Sequence, residues 1–202
     1  MGVAGLLLAA GAGRRMGGPK ALVRLGDELL VVRALRAMAD AGLAPRVVVL
    51  GAAADEVATH LPPDAVAVVA PGWQAGMSVS LCVGLQALDP GVDAVIVHLV
   101  DTPGIGSEAL ARVAARVTAP GVPAREALAR GAYAGRPGHP VLLGAAHWPR
   151  VLASAQGDAG ARGYLAAAGR EGRVELVEVG DVADPADVDT PDDLATARRR
   201  GG

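Results

Sequence analysis

Phenylalanine is missing from this chain of 202 residues, and two Trp and two Tyr are its only aromatic residues. A core without large rings has to be built from Leu, Val, Ile and Ala. Cysteine is nearly absent too. The single Cys82 excludes an internal disulfide framework, and its apolar helical surroundings predict a small core residue. No apolar run reaches the roughly eighteen residues of a membrane span. The run Val3 to Ala10 is short and has no basic region before it, so it reads as a strand and not as a signal peptide. A reducing cytoplasm is the expected compartment. Strong charge of either sign is also lacking: the net charge is −2, which removes the electrostatic case for a nucleic-acid partner. What remains, 51% hydrophobic and 20% charged, fits a globular chain with enough length for a sizeable core. One domain over 1–202 is the expectation from size.

Strand and helix patterns alternate along the first half. Val3–Ala9, Arg46–Leu50, Ala65–Val69 and Ala94–Leu99 read as strands. Leu29–Ala41, Asp55–Leu61, Ser78–Leu88 and Glu108–Val117 read as helices. Such alternation predicts an α/β fold of three layers, a mostly parallel sheet between helices. The second half is less regular. Leu128–Ala134 and Val141–Leu143 flank Gly135 to Pro140, which reads as a bend inside an inserted β-hairpin. Helices are expected at Trp148–Ala155, Ala159–Ala168 and Pro191–Arg199, a strand at Val174–Val179, and a frayed end over Arg198 to Gly202.

Glycine is abundant, and its placement matters most after the first strand. Gly11, Gly13, Gly17 and Gly18 share one loop with Arg14, Arg15 and Lys20. Glycines let backbone N–H groups approach a phosphate, and the cations supply charge-assisted bonds to it. Two familiar phosphate loops are excluded. The dinucleotide fingerprint needs glycine where Met16 stands, and the P-loop needs a hydroxyl where Ala21 stands. The segment predicts a triphosphate cradle at the carboxyl end of a central strand.

Two carboxylates fall where such a site needs them. Asp101 ends the apolar stretch Ala94–Val100, where it can cap the turn or hold a hard cation. Asp189 lies in Asp187-Val188-Asp189-Thr190-Pro191. Thr190 and Asp193 have capping-box spacing there, so a purely local role is open as well. Ser78 and Ser80 near a helix start can bind an anion or cap the helix. Asp158 can cap the helix that follows it, and Arg162 can meet a phosphate or lie on the surface. His139 is a binding candidate or a structural imidazole. His60, His98 and His147 have no metal-ligand spacing.

The stretch from Leu8 to Leu22, Leu-Ala-Ala-Gly-Ala-Gly-Arg-Arg-Met-Gly-Gly-Pro-Lys-Ala-Leu, resembles the opening signature of nucleotidyltransferases with a glycosyltransferase-A-like fold. Later segments are most similar to the molybdenum cofactor cytidylyltransferases. These are Trp73 to Leu81 around Gly76-Met77, Asp101-Thr102-Pro103, Gly138-His139-Pro140-Val141, Gly157 to Arg162 and Asp187 to Pro191. Ala70 and Val79 depart from the polar residues common there. The resemblance implies Mg²⁺ on Asp101 and Asp189. It implies NTP phosphates over Gly11 to Lys20, with Arg15 and Lys20 neutralising charge and Leu8, Ala9, Ala10, Gly11 and Gly13 lining the nucleotide. It also implies that Gly76, Ser78, Ser80, His139, Asp158 and Arg162 contact nucleotide or acceptor. The implied reaction carries CMP from CTP to the phosphate of molybdopterin with release of pyrophosphate. A molybdoenzyme or its chaperone is the implied partner.

Base choice rests on two opposed signals. Leu8-Ala9-Ala10-Gly11 is similar to the cytidylyl branch, whereas Asp101-Thr102-Pro103 is closer to the guanylyl branch, so CTP is favoured and GTP is the alternative. Isoprenoid and sugar-phosphate nucleotidyltransferases share the first loop but lack the segments around Gly76 and Asp158. A guanylyltransferase acting on phospholactate-type acceptors is another reading. A non-catalytic nucleotide-binding accessory protein is the alternative from a different class.

Overall fold

A computed structural model describes residues 2–200. Among these described residues nine strands and seven α-helices follow one another as β1 (Val3–Ala9), β2 (Arg24–Leu25), β3 (Glu28–Leu29), α1 (Leu30–Asp40), β4 (Arg46–Leu50), α2 (Ala54–Ala58), β5 (Ala65–Val69), α3 (Met77–Gln86), β6 (Ala94–Leu99), α4 (Ser107–Ala114), β7 (Leu128–Tyr133), β8 (Arg136–Gly144), α5 (Trp148–Ser154), α6 (Arg162–Arg170), β9 (Glu175–Glu178) and α7 (Pro191–Arg200). Seven strands form the main sheet in the order β5-β4-β1-β6-β8-β7-β9, and β2 and β3 form a separate small hairpin. All neighbours in the main sheet are parallel except β8, which runs antiparallel to both β6 and β7. The fold is the expected α/β arrangement of three layers.

The central strands are apolar on both faces because both faces are covered. Alternate residues of each strand go to opposite cores. Leu7, Ala9, Val48, Leu50 and Ile96 meet α1 and α4 on one side, whereas Leu6, Leu8, Val47, Val49 and Val97 meet α3, α5 and α6 on the other. Strand order then decides where a ligand can sit. From β1 the chain works outward through β4 to β5, then returns to place β6 on the other flank of β1. This reversal opens a crevice beyond the carboxyl ends of β1 and β6. The glycine loop leaves β1 and Asp101 follows β6, so both reach the same crevice.

Several sequence expectations change. The bend placed at Gly135 to Pro140 is confined to Ala134 and Gly135, with φ of 51° and 75°. Arg136 to Pro140 belong to β8. Pro137 still pairs with Ala132, whereas Pro140 falls where the ladder is interrupted, since the register shifts between Arg130 and Ala132. The helix expected over Asp55–Leu61 is shorter, and Glu108–Val117 ends as α4 plus a 3₁₀ turn over Ala115–Thr118. The helix expected from Ala159 begins at Arg162, after a 3₁₀ turn over Gly157–Ala159. Cys82 is half-buried and not in the core, though burial still pushes its thiol pKa up. The carboxyl-terminal arginines continue α7: Arg198 donates to the Arg24 carbonyl at 3.2 Å and Arg200 pairs with Asp184. Of the end expected to fray, Gly201 and Gly202 lie outside the described residues. Among the described residues no helix is long and apolar enough to cross a membrane.

Candidate functional site

The loop after β1 closes on itself around Gly13. Its carbonyl accepts the Met16 N–H at 2.8 Å and the Gly18 N–H at 3.3 Å. The φ of Gly13 is +56°, and a Cβ there would stand 2.0 Å from the Gly18 oxygen, so no other residue fits. The loop ends in a 3₁₀ turn over Lys20–Leu22, which carries Lys20 into the crevice.

Lys20 gathers the two carboxylates. Its Nζ donates to Asp101 Oδ2 at 2.7 Å and to Asp189 Oδ1, and Arg15 donates to Asp189 Oδ2 at 2.7 Å. Lys20 and Asp189 are 169 residues apart. The carboxyl-terminal loop is brought to β6 by its backbone, where the Val188 N–H donates to the Asp101 carbonyl at 2.8 Å. The local roles open to these aspartates are filled by others. Asp193 accepts the Asp189 and Thr190 N–H groups at 3.2 and 2.8 Å, and the Asp193 N–H donates back to Thr190 Oγ1 at 3.3 Å. This is the capping box that the spacing predicts. Thr102 Oγ1 donates to the Leu99 carbonyl at 3.0 Å in the turn after β6. Both Asp101 and Asp189 therefore turn their carboxylates to Lys20.

Burial alone would lower the Lys20 pKa, but the bonds to Asp101 and Asp189 outweigh it and the net shift is upward. The hydrogen bond from Lys20 holds the Asp189 carboxyl below its ordinary range against a smaller opposing effect of burial, with Arg15 adding to it. Two carboxylates already sharing one cation are a hard-oxygen donor set. With a bound triphosphate and water completing the shell, that set suits Mg²⁺ or Mn²⁺. Among the described residues no group of three or more His, Cys, Asp or Glu gathers as a metal cluster.

Two cavities meet at Asp101. The first, about 370 Å³, lies over the glycine loop and is lined by Leu8, Ala10, Gly11, Gly13, Lys20, Gly76, Ser80, Asp101 and Asp158. The second, about 580 Å³, shares Leu8, Met77, Leu99 and Asp101 with the first, and contains His139 and Arg162. Four candidates line neither cavity: Arg15 and Asp189, which reach the site through their bond to each other and that of Asp189 to Lys20, and Ala9 and Ser78. Ala9 packs into the opposite core with α1, because it alternates with Leu8 and Ala10. Ser78 is buried and lines neither cavity. Neither serine caps α3. Asp158 does that from a distance, accepting the Met77 N–H at 3.4 Å, so it caps α3 and not the helix after it. Arg14, Trp73 and Gln74 also line the first cavity, and Arg130 and Asp187 line the second. The sequence does not single out Arg130, because nothing local separates a strand arginine facing a cavity from one facing solvent. His139 is half-buried, and loss of hydration around its ring pushes its pKa down to about 4, so the imidazole is neutral at pH 7.

Contact between the α3 entry and the Asp158 turn needs Gly76. Its φ is +120°, and a Cβ would lie 2.5 Å from the Gly157 carbonyl carbon. Gly76→Ala is expected to cost about 1–3 kcal/mol through backbone strain and to displace the Asp158 cap. Urea unfolding midpoints measure this; an unchanged midpoint would show that the two turns separate freely.

Residues 5–174 match the model of the MobA-like NTP transferase domain. The chain belongs to that family. Among the family's relatives of this chain, nicotine blue oxidoreductase of Paenarthrobacter nicotinovorans is 35% identical over 202 residues, covering 95% of this chain and 94% of the relative. The solved Mycobacterium sp. strain JC1 homologue of Rv0371c is 32% identical, with a TM-score of 0.78 and 98% of each chain covered. Rv0371c of Mycobacterium tuberculosis H37Rv, solved as a complex with manganese, is 27% identical, with a TM-score of 0.77 over 98% of this chain and 99% of that one.

Proposed function

We propose that this member of the MobA-like family transfers a nucleotidyl group from an NTP, CTP in preference to GTP, to the phosphate of molybdenum cofactor. The observation that carries this reading is the meeting of two cavities at Asp101, with Lys20 and Asp189 at the same junction. The first cavity takes the NTP and the second the acceptor. An oxygen of the acceptor phosphate attacks the α-phosphorus, the bond from that phosphorus to the β-bridging oxygen breaks, and pyrophosphate leaves. The attacking phosphate is already ionised, so no general base is needed. Catalysis is then positioning and charge neutralisation.

Backbone N–H groups of the glycine loop, with Arg14, Arg15 and Lys20, bind the phosphates. Asp101 and Asp189 would hold a divalent ion, which supplies Lewis-acid polarisation of phosphoryl oxygens when bound. The manganese complex of the related Rv0371c supports a divalent ion here. Lys20 keeps the carboxylates in place and is itself a donor to phosphate. Support for molybdenum cofactor comes from the segments around Gly76, His139 and Asp158, and a molybdoenzyme or its chaperone would receive the product.

The test is pyrophosphate release with each of the four NTPs, using purified molybdenum cofactor and a few phosphorylated metabolites as acceptors. Release that is greatest with CTP and requires the acceptor is expected. Ala10 lines the nucleotide cavity beside Trp73. A methyl-sized change in a pocket alters discrimination by about 10–200-fold, so Ala10→Gly should narrow the CTP-over-GTP ratio of kcat/KM. A wild type preferring GTP would overturn the base assignment.

A second reading is favoured by the name of the 35% identical relative, an oxidoreductase. Here a reduced dinucleotide would fill the first cavity and an organic hydride acceptor the second. Hydride transfer has no use for a lysine bridging two aspartates at the junction, which places this reading second. Oxidation of NADH or NADPH without pyrophosphate release would reverse the order, and nucleotide binding with neither reaction would leave the accessory-protein reading.

A further inference from the structure

Five arginines of the described residues are half-buried. Four of them meet a carboxylate: Arg33 with Glu28, Arg46 with Asp64, Arg112 with Asp181 and Glu108, and Arg116 with Glu175. Arg130 does not. Its one hydrogen bond runs from Nε to the Gly138 carbonyl at 3.1 Å, which leaves both terminal nitrogens without a protein partner among the described residues. Partial burial of a guanidinium without a counter-charge carries a cost, and burial lowers the pKa of Arg130. The second cation in the cavity adds to that cost: Arg162 repels Arg130 and has no ion-pair partner among the described residues.

The position of Arg130 follows from the irregular strand pair. The β7–β8 register shifts between Arg130 and Ala132, and Gly131 has no room for a Cβ, which would stand 2.6 Å from the His139 carbonyl oxygen. Such a shift re-aims side chains. Here Arg130 and His139 both reach the second cavity. Arg130, Arg162 and His139 line the same cavity as the junction carboxylate Asp101. Leu81, Val97 and Leu165 form an apolar wall beside them.

We infer that Arg130, with Arg162, is the binding pair for a phosphate monoester dianion on the acceptor, whose organic part lies against that apolar wall. The role in transfer rests on the function proposed above; the anion site itself does not. Two guanidiniums lining one cavity match a dianion, whereas a carboxylate would neutralise only one. With Nε taken by the Gly138 carbonyl, both Nη groups of this cavity-lining arginine stay unpaired among the described residues, and such a fork of donors suits phosphate.

Calorimetric titration with phenyl phosphate, in protein saturated with CTP and Ca²⁺ and in protein without nucleotide, tests this. The wild type should bind phenyl phosphate more tightly than benzoate in both. Arg130→Ala and Arg162→Ala should each weaken it about tenfold or more, and Arg130→Lys should fall between. CTP affinity should stay at the wild-type value in Arg130→Ala, because Arg130 does not line the nucleotide cavity. Thermal melts control for folding, and Arg162→Ala keeps the test open if loss of the Gly138 bond unfolds Arg130→Ala. Absence of phenyl phosphate binding by the wild type, wild-type affinity in the Arg130 and Arg162 variants, or benzoate bound as tightly would each overturn the proposal. Failure of every NTP to bind or release pyrophosphate, with the phenyl phosphate losses intact, would instead remove the transferase reading and leave the anion site standing.

Discussion

Replacing Asp101 or Asp189 by Asn is expected to abolish turnover and to leave the fold in place. Each substitution keeps the side-chain shape and one oxygen able to accept from Lys20 Nζ, but it removes a charge from the junction of the two cavities. If these carboxylates hold the ion that polarises the reacting phosphate, the loss should be several kcal/mol in the barrier, on the order of a thousandfold in rate or more. Asp189 has further neighbours, since Arg15 also donates to it, so Asp189→Asn should free Arg15 as well. The check is kcat over a range of Mg²⁺ concentrations, together with Mn²⁺ affinity by electron paramagnetic resonance. Wild-type rates at limiting metal in both variants would remove the metal assignment.

Lys20→Ala should weaken NTP binding and slow transfer together. Lys20 loses bonds of about 1.5–3 kcal/mol each to phosphate, so an affinity loss of roughly ten- to a hundredfold is expected. Arg15→Ala should act in the same direction, with a smaller effect because 70% of its side chain is exposed. Lys20→Ala also changes the acid response of stability. Asp189 has a lowered pKa in the folded protein, caused first by its bond to Lys20. A carboxyl of that kind contributes stability that is present above its unfolded pKa, about 4, and is lost as pH falls through the lower folded value. Without Lys20 the Asp189 pKa should rise toward its ordinary value, and this part of the acid dependence should flatten. Calorimetric NTP binding and melting curves below about pH 5 measure the two effects. Unchanged binding isotherms in both the Lys20 and Arg15 variants would make the loop structural.

Much of this protein is legible from local chemistry. The apolar runs β1, β4 and β6 are central strands because residues buried on both faces must all be apolar, and that needs no knowledge of neighbours. The glycine loop carries its own geometry, since Gly13 is demanded by a turn closed within the short span from Gly13 to Gly18. The capping box of Thr190 and Asp193 is equally local. Expectations fail where a distant partner decides. Asp158 caps α3 across the molecule instead of its own helix. The prolines of β8 look like a bend because sequence shows their missing N–H groups but not the pairing with β7, whose register shifts opposite Pro140. Ala9 is expected beside the nucleotide with Leu8 and Ala10, yet strand alternation turns it to the opposite core.

By itself the sequence determined the α/β class and the turn geometry of the glycine loop, because each rests on residue type and short-range spacing, whereas Asp101 and Asp189 are paired only by the family resemblance. Only the tertiary structure decided that one ammonium would bridge two carboxylates from distant parts of the chain, that two cavities would meet at Asp101, and that Arg130 would face the second of them without a counter-charge. Those are facts of strand order and register, and they follow from which surfaces pack together across long stretches of chain.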